Sequence, residues 1–185
     1  IRRSIVGAEM CIRDRPTLVP LVDRTLYPAD QYPDGQWDYY RYYNTHFASA
    51  VADLDTDKAA SLASIYRRGD PANISKVTSN AEVTRKGGRF GEAHRAPPTR
   101  PDLALWPQAD FAALVRSFEE HGFRAPCAWY LNDDANIDYA HRAPDGGRLS
   151  LPVLFVNGDY DPMNTIKGNR LGDPCLLYTS PSPRD

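Results

Sequence analysis

Apolar and polar positions alternate along this chain with a helical rather than a strand period. From Gln36 to Leu54, Tyr39, Tyr42, Tyr43 and Phe47 fall on one stripe that Ala48, Ala50, Val51 and Leu54 continue, so a helix is expected there. A second helix is expected over Asp55 to Arg68, with Asp55 or Thr56 as its cap, Ala59, Leu62, Ala63 and Tyr66 on its buried face and Gly69 just past its end. Asp57 in its first turn and Arg67-Arg68 in its last suit the helix dipole. Phe111, Leu114, Val115 and Phe118 recur at i, i+3, i+4 and i+7, which predicts a helix from Pro107 to His121 closed by Gly122. Pro126 to Arg142 reads as a further helix, with the proline in its first turn and Trp129, Tyr130, Ala135, Ile137 and Ala140 as its apolar side.

Between these periodic stretches the pattern fails. Pro16 to Gln36 is punctuated by Pro16, Pro20, Pro28, Pro33 and Asp34-Gly35, which predicts an irregular segment lying on a surface. Asp70 to Trp106 is poor in apolar residues and broken by Lys86-Gly87-Gly88-Arg89 and Pro97-Pro98; it reads as a long loop with at most one short helix, and loops of that length are usually functional or mobile. Leu151 to Val156 is a continuous apolar run of strand length, as in a strand buried on both faces of a parallel sheet. The expected fold is therefore mostly α, with one parallel-type β-strand near the C-terminus.

Composition narrows the class. The chain has 185 residues, enough for one domain with a real core, and 11% aromatic residues to fill it. A net charge of −2 without any basic run speaks against nucleic acid as a partner, and no apolar stretch approaches the roughly 20 residues of a membrane helix. The two ends look foreign. Met10 to Asp14 and Cys175 to Ser180 can be encoded by overlapping, reverse-complementary DNA that resembles a transposon-end sequencing adaptor, and Pro181 to Asp185 would continue it. Residues 1–15 and 175–185 are accordingly expected to be non-native, leaving 16–148 as a helical region and 149–174 as a partial core. Of the three cysteines only Cys127 then remains, which makes no bridge, zinc site or redox pair and fits a reducing, cytoplasmic setting. No cofactor or metal is expected: Asp133-Asp134 diverge on a helix without accompanying His or Cys.

Three motifs carry chemistry. Gly122 to Asn136 contains Gly-Phe, a proline and then Trp129-Tyr130-x-Asn132; Trp37-Asp38-Tyr39 opens the first helix; and Leu151 to Asp161 is an apolar strand ending in Gly158-x-x-Asp161. In this order and spacing they resemble the lid and the triad-acid strand of epoxide hydrolases of the α/β-hydrolase fold. The resemblance spans about Gln36 to Met163. It implies that Tyr39 and Tyr130 bind the oxygen of a small apolar epoxide, with Tyr42 as a rival for the first position, and that Asp161 holds a catalytic histidine. For Tyr40 and Tyr43 a packed helix face is the preferred reading. Two phenols suit the task because opening an epoxide develops an alkoxide, and a phenol remains a protonated donor at neutral pH.

The chain departs from the family where the reaction is carried out. No Gly-x-Asp-x-Gly elbow supplies a nucleophile, and His46, His94, His121 and His141 all precede Asp161, whereas the family's histidine follows its acid. The expectation is a lid plus one core strand from a parent hydrolase, inactive by itself. Trp129 with Asn132 keeps a haloalkane dehalogenase-like parent in view, and a tyrosine-rich face keeps a non-enzymatic binding module in view.

Overall fold

The computed structural model describes residues 22–142. The expected strand at 149–156 and Asp161 lie outside the described residues. Among the described residues the ordered elements are six α-helices and several single 3-10 turns, so the chain is mostly α. None of these helices is long and apolar enough to cross a membrane. The described residues divide into two units: 22–37, 71–77 and 132–142 in one, Asp38–Asp70 with Thr78–Leu131 in the other.

In the first unit, residues 22–37 form the irregular segment that the prolines impose. Arg24 ties it together by donating to the carbonyls of Tyr32 at 2.9 Å and Pro33 at 3.0 Å. Tyr27 is buried, with Tyr32 edge-on to it at 5.8 Å. Gly35 has φ +54, and a Cβ there would come within 2.8 Å of Val22 Cγ2, so this turn needs glycine both for its backbone and for the room. Helix α6, Asp133–His141, belongs to this unit.

The second unit holds α1 (Asp38–Thr45), α2 (Phe47–Asp55), α3 (Lys58–Ile65), α4 (Gln108–His121) and α5 (Arg124–Ala128). Where one helix is expected over Gln36 to Leu54, two form. The break falls at His46, whose φ of −132 and ψ of 42 leave the helical region. Thr45 just before it turns its hydroxyl back to the Arg41 carbonyl at 2.9 Å, the kind of local bond that bends helices. Helix α3 is shorter than expected and differently capped. Asp57 is the N-cap, accepting from Ala60 N at 3.0 Å, and the helix ends before Tyr66. The buried face consequently becomes Ala60, Ser61, Leu62 and Ala63, while Ala59 and Tyr66 are exposed. Helix α4 matches its periodic stripe, and Gly122 with φ +67 terminates it. The stretch expected as one helix from Pro126 is instead α5, a 3-10 turn at Trp129–Leu131 and α6.

The core of this unit is Leu54, Leu62, Ala63, Phe111, Phe123 and Cys127, with Phe47, Val51, Leu114 and Phe118 packed around them. Burying each large apolar side chain contributes about 1.5–3 kcal/mol. Polar groups at the helix ends are satisfied inside this core. Ser61 Oγ donates to the Leu54 carbonyl at 2.9 Å, which satisfies an orphan acceptor in the last turn of α2. Asp55 Oδ1 accepts from Phe123 N at 3.0 Å, and Gly122 lets the backbone approach, since a Cβ there would lie 3.2 Å from either Asp55 oxygen.

Candidate functional site

Helix α1 projects Tyr39 and Tyr43 from one face, four residues apart, and the 3-10 turn after α5 brings Tyr130 against them. The turn is held by Asn44, whose amide donates to the Tyr130 carbonyl at 2.8 Å and to the Tyr40 carbonyl at 3.1 Å. Tyr130 is thereby inserted among three rings of α1. Its centroid lies 5.6 Å from Tyr39 at 80°, 5.0 Å from Tyr40 at 87° and 5.0 Å from Tyr43 at 56°. Near-perpendicular pairs place the positive ring edge on the negative face, and such pairs are worth about 0.5–1.5 kcal/mol each beyond burial. Tyr40 and Tyr43 are buried at 4% and 6% exposure, in line with their reading as packing residues.

The rings of Tyr39 and Tyr130 meet edge to face, and each phenol influences the proton affinity of the other. Burial, then the neighbouring Tyr130, holds the Tyr39 phenol well above its ordinary range. Burial raises the Tyr130 phenol as well, against opposing effects of Tyr39 and Arg89. Burial pushes Tyr43 up to about 12, against the opposing pull of Arg89. The Arg89 guanidinium also draws down Tyr39 and Tyr130 without reversing either. All three phenols are therefore protonated donors at neutral pH, in a pocket of rings where a hydrogen bond is stronger than in water.

The structure thus brings Tyr39 and Tyr130 together. Tyr42 faces elsewhere: its hydroxyl donates to the Gly87 carbonyl at 2.8 Å, and its ring stacks on His46 at 4.9 Å. Trp129, expected on the apolar side of a helix, is 63% exposed. The reason is angular. Phe123 and Cys127, four apart, face the core, and Trp129 two positions on is turned about 200° from Cys127. Asn132 belongs to the other unit. Asp161 lies outside the described residues.

Sequence reasoning missed a second pair. The buried carboxylate of Asp53 meets His94 Nδ1 at 2.9 Å, with His94 in a left-handed conformation at φ +48. Asp53 Oδ2 is buried without a partner among the described residues. Gly88 makes the site possible, because its φ is +149 and a Cβ there would collide with Asp53 Oδ2 and lie 3.3 Å from the Tyr42 hydroxyl. The Gly87-Gly88 dipeptide was the available signal, as a place of close backbone approach. Nothing in the sequence paired it with Asp53 on α2. Lys86 to Arg89 reads from sequence as a solvated loop more often than a phosphate site, and nothing there places Arg89 beside the phenols. Among the described residues no group of three His, Cys, Asp or Glu could hold a metal ion.

The chain matches no protein-family model, no curated protein and no solved structure.

Proposed function

We propose that this chain is the lid, with the triad-acid strand, of a hydrolase that opens small apolar epoxides through an aspartyl ester. The observation that carries the reading is the convergence of the Tyr39 and Tyr130 rings, whose centroids lie 5.6 Å apart. In the reaction both phenols donate to the epoxide oxygen, and they stabilise the alkoxide as the ring opens. The pair is held ready without ligand by the ring contacts around Tyr130 and by the Asn44 bond to its carbonyl. Asp161 has the role of the acid that orients a histidine and stabilises its cation. Nucleophile and histidine belong to the rest of the parent enzyme, because no elbow motif occurs in this sequence and its four histidines all precede Asp161. The exposure of Trp129 counts against a halide-binding role for it. The inward setting of Tyr40 and Tyr43 counts against a flat aromatic docking face.

The test uses the 185-residue chain and a small N-alkyl amide, whose carbonyl oxygen accepts from two donors as the epoxide oxygen would. Tyr39→Phe and Tyr130→Phe are each expected to weaken its binding severalfold to about tenfold, the worth of one hydrogen bond, while Tyr42→Phe leaves it unchanged. Equal losses in all three variants, or no amide binding, would sink the reading. Epoxide turnover by the chain alone, abolished in Tyr130→Phe, would overturn the assignment of the nucleophile to the rest of the parent enzyme.

A further inference from the structure

A cavity of about 500 Å³ opens in the second unit, lined among others by Ser64, Ser79, Lys86, Arg89, Phe90 and Arg95. That volume is in the range of small-molecule sites. Three cationic side chains reach it, from the loop that the sequence shows only as a polar, glycine-broken stretch. Two of them are exposed and already paired: Lys86 with Glu82 at 2.6 Å and Arg95 with Asp57 at 3.1 Å. Neither carboxylate belongs to the cavity lining, so the wall itself is cationic.

Arg89 differs from both. It is partly buried, and it donates to a neutral partner, the Asn80 side-chain oxygen at 3.3 Å. No carboxylate pairs with it among the described residues. Taking a guanidinium partly out of water without a counter-charge is costly, and an oxyanion entering the cavity would supply that charge through a pair of parallel N–H···O bonds. Phe90 gives the same cavity an apolar wall for the remainder of a ligand.

We propose that this cavity binds a small molecule bearing one oxyanion, a carboxylate or a phosphate monoester, with Arg89 as the residue that pairs with it. Lys86 and Arg95 at the exposed side draw the anion in, and binding weakens as salt screens them. The inference does not draw on Tyr39 or Tyr130 as ligands, although Arg89 also acts on their phenols.

Calorimetric titration of the full chain with inorganic phosphate and, in a separate arm, with benzoate tests it. Saturable binding in either arm, weakened by added potassium chloride, is expected, and the arm that binds names the oxyanion. Arg89→Gln should weaken binding about tenfold or more, the usual worth of a charged hydrogen bond. Arg95→Gln should weaken it a few-fold, and Arg116→Gln, on the exposed side of α4, should leave it unchanged. If Arg89→Gln loses its helical circular dichroism, Lys86→Gln with Arg95→Gln decides in its place. No saturable binding in either arm, or equal affinities across the cavity variants and Arg116→Gln, would overturn the proposal.

Discussion

Raising the pH from about 9 to about 12 should strip this chain of much of its stability, through two buried neutral groups. Burial moves the Cys127 thiol from 9.0 to about 11 and the Tyr43 phenol from 10.0 to about 12. Both folded-state values are raised, so between the unfolded and folded values the native chain binds more protons than the unfolded one. Stability then falls with rising pH; the contribution is whole below the unfolded values and is lost as pH passes the folded ones. Each displacement corresponds to about 3 kcal/mol. Together they rival the 5–15 kcal/mol that typically holds a domain together. Tyr39 and Tyr130 are raised as well and act in the same direction. The assay is urea unfolding followed by circular dichroism at steps across this range, for the parent, Tyr43→Phe and Cys127→Ala. The comparison between variants carries the inference. Cys127→Ala should flatten the lower part of the decline and Tyr43→Phe the upper part, each by about 3 kcal/mol. Identical slopes in all three proteins would refute the argument that burial of these two groups couples folding to protons.

Leu62, at 0% exposure between Leu54 and Phe111 in the core cluster, should cost about 2–5 kcal/mol when cut to alanine, read as a lower urea midpoint with an unchanged slope. Asn44→Ala removes the clamp on the Tyr130 carbonyl, so it should cost about 1 kcal/mol and loosen the Tyr39–Tyr130 contact, seen as weakened ring-to-ring nuclear Overhauser effects between them.

How much of this could be read from the chain follows from how local each feature is. The stripe Phe111, Leu114, Val115 and Phe118 placed α4 almost to the residue, because helical periodicity and a terminating glycine are local properties. The mostly helical class was legible for the same reason. Boundaries set by competition between neighbouring side chains were not. Asp55, Thr56 and Asp57 can all cap a helix, and Asp57 prevailed where Asp55 was held by Phe123 N, far along the chain. The single helices expected at Gln36 to Leu54 and at Pro126 to Arg142 broke where tertiary bonds and local back-bonding outweighed propensity.

The candidate site divides along the same line. Tyr39 and Tyr130 could be named from motif order, since residue types and spacing are written in the chain. That Tyr39 rather than Tyr42 meets Tyr130 depends on Asn44 reaching across to the Tyr130 carbonyl and on Gly87 taking the Tyr42 hydroxyl. The Asp53–His94 pair carries no sequence signature, because it joins side chains that are distant along the chain. The sequence alone determined which stretches could bury an apolar face and which phenols were available. Only the tertiary structure decided which phenol rings met and which carboxylate was left with a histidine, because those outcomes depend on distances between segments that local propensity does not encode.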